Sequence, residues 1–387
     1  MRKTGVWTVW LLLIVAFAFG PEAALERRPA GYAEAVLDAK LAGWEAAFAR
    51  TGLGGSANVG YGEDWKYGLA LRLSLDPAER ARAELAALEA SRKLRQEVRQ
   101  AVYETLTLHA RAWRARAGRE AAALALEGTR LRLEAARAQG RGPLDLEDLA
   151  YRVEDARLAL QLTEAELQEV EDEVRDAGLS GPAEPRVLLF ALPDPAADHL
   201  SALRLRQQRT VAMQAWRGLA VISAQARYLG TTGYTFEVSS AGPGLSLSVQ
   251  HPATPAADEW RFGVAARITL SPAAWTSARR AGLAAGRLAA DMEVQMRERS
   301  RRLVLMRRRI EGAWKRLQLA QKRVGLADRR AEQVSMRMTA GLAARLDALS
   351  ARVAALQAEA QLADAWKAYV EAVKAYLDLA DGEWRVE

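Results

Sequence analysis

The sequence predicts a mainly α-helical protein with a small β part, built as two tandem helix–β-hairpin–long helix–helix units. Three observations carry this. Residues 65–77 (WKYGLALRLSLDP) and 260–272 (WRFGVAARITLSP) align without a gap at an offset of 195, a match that marks an internal duplication. Each segment is followed by a long stretch without proline, to about Gln139 and to about Ala340. The composition is dominated by Ala, Arg, Leu and Glu with no Cys, the bias of long packed helices.

The elements follow in order. Arg2-Lys3, an apolar run over 5–19 and then small residues form the pattern of a secretory signal over 1–24. Cleavage fits after either Ala18 or Ala24, and a retained anchor is the alternative, with a run short for a spanning helix. The first repeat is placed at 25–181, a Pro- and Gly-rich linker at 182–197 and the second repeat at 198–387. Helices of about 30–51 and 198–229 lead into the strands of each repeat.

In the first strand Tyr67, Leu69, Leu71, Leu73 and Leu75 alternate with Gly68, Ala70, Arg72 and Ser74. In its copy Phe262, Val264, Ala266, Ile268 and Leu270 alternate with Gly263, Ala265, Arg267 and Thr269. Period-two alternation gives each strand one apolar and one small or charged face. Each begins at a Trp and stops at a Pro, and each is long enough to cross a bilayer, which takes about 9–11 tilted residues. Partner strands are expected at 56–61 and within 234–249, the latter with a bulge or turn at Gly242-Pro243-Gly244. A soluble sheet with one wet face is the other object with this pattern. Two hairpins give about four strands, and a membrane barrel needs at least 8, so a membrane reading requires several chains to share one barrel.

The proline-free stretches predict helices of about 93 Å and about 100 Å. The second carries a heptad seam through Leu303, Met306, Ile310, Ala313, Leu317, Ala320, Val324, Ala327, Ala331, Val334 and Met338. The first has a comparable seam from Val98 to Ala136, interrupted by Arg119. Both helices end at glycine reversals, Gly140 to Asp145 and Gly341 to Asp347. Returning helices follow at about 144–177 and 346–380. The Leu-Asp pairs at 144–145 and 346–347 are offset by 202, seven more than the strands. One inserted heptad leaves the seam in phase.

The net charge is +7, and its densest basic patch runs from Arg297 to Arg309. Interleaved with the seam, it reads as a solvated helix face, and the export signal argues against a nucleic-acid partner. His109, His199 and His251 are scattered without metal spacing. Walker, dinucleotide and nucleophile-elbow motifs are absent. No enzyme and no cofactor are expected.

This order of elements resembles the TolC family of outer-membrane efflux and secretion channels. The resemblance rests on the whole architecture, on Pro77 and Pro272 at the strand-to-helix joins, and on the Gly341-to-Asp347 tip. It implies a homotrimer whose chains each give four strands to a 12-stranded barrel in the outer membrane. It also implies a helical barrel in the periplasm, meeting an inner-membrane pump through a periplasmic adaptor. Tyr67, Leu69, Leu71, Leu73, Phe262, Val264 and Ile268 would then face lipid, and Arg72 and Arg267 the lumen. The family closes its periplasmic end with acidic rings six and nine residues after the second-copy glycine. Asp347 matches the first position and Ser350 departs from the second. Asp145 and Asp148 are approximate first-copy counterparts. Helix capping is the plainer role for Asp347. Arg345 is expected to tie closed tips together by pairing with Asp145 or Asp148 of a neighbouring helix. The rival is a non-channel periplasmic coiled-coil spacer or a pump adaptor. No lipoyl-like segment of an adaptor is visible, and a spacer has no need of Trp-edged alternating strands.

Overall fold

The computed structural model describes residues 28–29, 31–51, 53–61, 65–74, 77–179, 186–195, 199–229, 233–239, 244–250, 259–268, 271–341 and 344–386. The expected signal over 1–24 lies outside them. In chain order the elements are α1 (Tyr32–Thr51), β1 (Leu53–Tyr61), β2 (Trp65–Ser74), α2 (Pro77–Ala138) and α3 (Pro143–Asp176). Then come α4 (His199–Arg217), β3 (Ala220–Leu229), β4 (Gly233–Ser239), β5 (Gly244–Gln250), β6 (Glu259–Ile268), α5 (Pro272–Thr339) and α6 (Arg345–Ala380). Pro77, Pro143 and Pro272 each open a helix, where a missing N–H costs nothing and the fixed φ is already helical. At about 1.5 Å per residue α2 and α5 are about 93 Å and about 102 Å long.

The chain divides into two compact units, one of 30–95 with 196–300 and the other of 96–195 with 301–387. The first holds the sheet. Its six described strands run in the order β1-β2-β5-β4-β3-β6, every pair antiparallel. The mainly α class with a small β part holds, but the strand count is six where four were expected. Two local causes account for the difference. The helix before the second set of strands stops at Arg217 rather than at 229. Gly218 N–H still donates to Gln214 O at 2.8 Å and Leu219 N–H to Trp216 O at 3.2 Å, and then the chain extends into β3. Residues 234–249, expected as one interrupted strand, are two strands, β4 and β5, paired with each other. This hairpin sits between β2 and β3, and β6 therefore pairs with β3 over ten residues and not with 234–249.

The second unit holds the apolar core. It gathers Val102, Leu106 and Trp113 of α2, Val170 and Val174 of α3, Leu303, Ile310, Ala313 and Leu317 of α5, and the stretch of α6 from Leu362 to Ala380. The heptad seam of α5 is therefore buried over its first half, while Val324 is half-buried and Met338 is exposed. Arg119 lies beside Glu164 of α3 at 3.5 Å. The linker does more than connect. Leu188 and Phe190 are buried, and three side chains of α6 hydrogen-bond the backbone of this strap, residues 186–195. Trp366 Nε1 donates to Leu188 O at 3.4 Å, Phe190 N–H to the Tyr369 hydroxyl at 3.2 Å, and the Tyr376 hydroxyl to Pro193 O at 2.8 Å. Ala191 N–H donates to Arg385 O at 2.8 Å, and Phe190 bridges Val386. Gly382 lies under this strap, where an added Cβ would fall 2.6 Å from the Pro193 ring.

Candidate functional site

The sheet sorts its residues by face. Residues paired across an antiparallel ladder share a face, so the register can be followed through all six strands. One row runs Gly55, Leu71, Leu247, Phe236, Ala226, Phe262. The next two run Ala57, Leu69, Val249, Tyr234, Tyr228, Trp260 and Leu53, Leu73, Leu245, Val238, Ala224, Val264. Tyr67 continues the apolar face beyond the first of these on β2, opposite Val59. Ile268 continues it at the other end of β6, opposite Ala220. The opposite face carries rows such as Gly54, Arg72, Ser246, Glu237, Gln225, Gly263. Arg227 and Arg261 pair on it, and Arg267 belongs to it as well.

The sequence-predicted lipid set thus lies on one face and Arg72 and Arg267 on the other. Every residue of β6 is exposed, Phe262 and Val264 by about four-fifths. No described element covers the apolar face along this strand. Aromatic residues gather at the end of the sheet away from the helices: Tyr61, Trp65, Tyr67, Tyr228, Tyr234 and Trp260. A second group that sequence reasoning missed lies on the helices next to the strands. Trp44 and Phe48 of α1 are exposed, and Trp216 of α4 packs edge-on against Trp275 of α5 with ring centroids 5.8 Å apart. Leu37, Leu41, Trp44 and Phe48, all exposed, follow the 4–3–4 spacing of a helix stripe, and that spacing was readable in the sequence.

The helix reversals form the other candidate region. Gly140 has φ 67° and Gly341 φ 73°, a left-handed backbone that a side chain would strain. At Gly140 the turn is closed by Gly140 N–H to Arg137 O at 3.1 Å and Arg141 N–H to Ala136 O at 3.2 Å, the double bond of a Schellman motif. The returning helices begin alike. Their N-caps are Gly142 and Ala344, neither giving a side-chain cap. Asp145 and Asp347 each fall three residues further on, in the first turn. Capping is therefore not the role of Asp347; its carboxylate sits where the helix dipole favours negative charge. By the same count Asp148 corresponds to Ser350, so the acid six residues into the helix is kept in the first copy alone. The Ser350 hydroxyl donates to Asp347 O at 2.9 Å, and Asp148 pairs with Arg152 of its own helix at 3.0 Å. Arg345 pairs within the chain with Glu127 of α2, at 2.5 Å, and not with Asp145 or Asp148. The first turn of α6 places its guanidinium over α2, and Asp148 already has its own arginine.

Asp347 and Ser350 line a groove of about 640 Å³ between α5 and α6, opposite Arg323, Arg330 and Arg337. The three arginines are seven residues apart and form a stripe along α5. A larger cleft of about 910 Å³ contains Glu127, Asp328, Glu332 and Glu359 with Arg345 and Arg352. Among the described residues no group of His, Asp or Glu is placed to hold a metal ion, and His109 is fully buried against Trp366. No described helix is long and apolar enough to cross a membrane.

No family model and no curated protein sequence matches the chain. Solved structures do. The CmeC outer-membrane channel of Campylobacter jejuni is 12% identical with a TM-score of 0.56, covering 94% of this chain and 85% of its own. The outer-membrane channel OprN is 18% identical with a TM-score of 0.55, covering 94% and 89%. The open state of the Neisseria gonorrhoeae MtrE outer-membrane channel is 14% identical with a TM-score of 0.55, covering 94% and 88%. At such identities the likeness shows the fold, and the fold is that of TolC-like outer-membrane channels.

Proposed function

We propose that this chain is one subunit of an outer-membrane channel. It would serve as the exit duct through which an inner-membrane pump and a periplasmic adaptor pass small molecules or proteins out of the cell. The observation that carries the reading is the sheet register. One face is apolar across six strands, the other polar, and among the described residues neither edge strand has a second partner. Such a sheet suits a wall with lipid on one side and water on the other, provided that other copies complete it. The aromatic residues at its two ends suit the two membrane interfaces.

Assembly from copies, three of them on the fold likeness, has support in the helices too. The α1 stripe is exposed, and so are Leu144, Tyr151, Leu158 and Leu162 of α3, more apolar surface than single scattered residues explain. The helical part would stand in the periplasm. There Asp347 would form one acidic ring at the narrowest point, Arg345 would hold the resting state by its ion pair, and Gly140 and Gly341 would shape the tips.

Extraction of the full chain in mild detergent, native mass measurement and recording in a planar bilayer test the reading. A homotrimer that conducts ions is expected. A monodisperse monomer without conductance would overturn it and leave a periplasmic spacer.

A further inference from the structure

We infer that the polar face of the sheet is an anion-binding surface, and that the cargo of the channel is a small organic anion bearing carboxylate or phosphate groups. This rests on the channel reading and names its cargo. The strands hold five basic residues, Lys66, Arg72, Arg227, Arg261 and Arg267, and two acidic ones, Glu237 and Glu259. The register puts all seven on the polar face. Keeping charge away from lipid explains the choice of face but not the excess of one sign. Glu259 is taken up by Arg261, whose guanidinium donates to it at 3.1 and 3.3 Å. Glu237 shares a row with Arg72, with Ser246 between them. Lys66, Arg227 and Arg267 have no acid as a ladder partner.

The internal duplication points the same way. At the offset of 195, Lys66 answers to Arg261 and Arg72 to Arg267, with Gly68 and Gly263, then Ala70 and Ala265, between them. The apolar face has drifted, Leu71 answering to Ala266 and Leu73 to Ile268. The polar face reads cation, Gly, Ala, cation in both copies. Its glycine is not forced by crowding, because a Cβ added at Gly263 would meet nothing within 4 Å. The face is therefore open between its cations, with room for a bound group.

The two cations of each strand are six residues apart, about 20 Å along it, so each copy of the repeat places one cation at each of two levels. Arg72 and Arg267 lie at the level next to the helices, and Lys66 and Arg261 at the level away from them. At the far level Arg227 is the direct ladder partner of Arg261. Like charges directly opposite each other destabilise a ladder, and a bound anion would relieve that cost. The planar fork of arginine matches carboxylate and phosphate groups. Rings of such residues select for anions in a pore, and a wall backed by lipid focuses their field into the lumen. The sign is opposite to that of the Asp347 ring, so each can be read separately.

The full chain carrying Asp347→Asn, which removes the acidic charge proposed for the tip, is recorded in planar phosphatidylcholine bilayers. In a potassium chloride gradient its reversal potential should show chloride preferred over potassium. Citrate, a trivalent carboxylate, should block its current. The half-blocking citrate concentration should rise at least about tenfold when Lys66→Ser with Arg261→Ser, or Arg72→Ser with Arg267→Ser, is added, the effect of losing a charge-assisted contact. The pair Lys66→Arg with Arg261→Lys keeps the charge and should keep the block. A conducting channel that prefers potassium, or that citrate does not block, would overturn the anion inference and leave the channel reading standing. So would a block unchanged in both serine pairs. The first two readouts need no change in the sheet, so they decide the matter even where the serine pairs fail to assemble. Absence of any conductance would overturn the channel reading, and the inference with it.

Discussion

The two returning helices are copies of one plan and have opposite fates. Both have an N-cap three residues before an aspartate, follow a left-handed glycine, and run for 34 and 36 residues. Yet α6 buries Trp366, Tyr369, Val370, Val373, Tyr376 and Leu377, while α3 buries Val170 and Val174 alone. The difference is one of partners. The strap 186–195 covers α6, meeting its aromatic side chains with backbone groups. The apolar stripe of α3 faces away from everything described in the chain. One copy of the returning helix is the core of its unit, and the other leaves its apolar stripe exposed, which the proposed function would use as a surface between copies.

Six substitutions break or sharpen this contrast and the reading built on it. The largest effect is expected for Trp366→Ala. It removes a fully buried ring that packs on His109 and bonds the strap, and should cost about 3–5 kcal/mol. The thermal loss of helical circular dichroism would show it, and an unchanged midpoint would contradict the core assignment. Next, Leu71→Arg on the apolar face should cost about 2–4 kcal/mol near the mid-membrane, with Arg72→Ser tolerated and altering ion selectivity. Equal assembly defects from both would refute the assignment of faces.

A smaller effect belongs to the tip. Arg345→Ser removes an exposed pair with Glu127 worth about 0.2–1 kcal/mol, and should raise resting conductance in planar bilayers. Asp347→Asn should weaken cation selectivity and block by divalent cations from the periplasmic side; unchanged selectivity would leave Asp347 as a helix-dipole residue. Least affected in stability is Leu158→Ser on α3, within about 0.5 kcal/mol for an exposed site. Its effect should appear instead as a shift toward smaller assemblies in native mass spectra. A large fall in thermal stability with intact assembly would mean that α3 is buried within one chain.

The long helices, their ends and the glycine reversals were legible because periodicity, proline and glycine act locally. The Trp-to-Pro repeat located β2 and β6 for the same reason. β3 was hidden by ambiguity of period. Ala220, Ala224 and Tyr228 are spaced by four, as on a helix, and Ile222 and Ala226 complete an equally good strand face. Only its long-range pairing with β6 decides between the two. The division of 234–249 into two strands likewise depends on neighbours, β2 on one side and β3 on the other. The strap was illegible because its bonds go from an aperiodic backbone to side chains about 180 residues later. At the tip the positions of Asp145 and Asp347 were readable, but the partner of Arg345 was not, because Glu127 lies on another helix 218 residues away.

The placement of the core on α6 also sets a timetable for folding. α2 and α3 leave the ribosome long before the helix that buries Leu106 and Trp113. At about 5–20 residues per second, the 168 residues between the end of α3 and the start of α6 represent roughly 8–34 seconds of synthesis. Throughout that interval the first repeat displays its seam to whatever surrounds it. A chain arrested before Trp366 would have helices but no interior, and would be a substrate for chaperones and proteases before it could meet a second copy of itself.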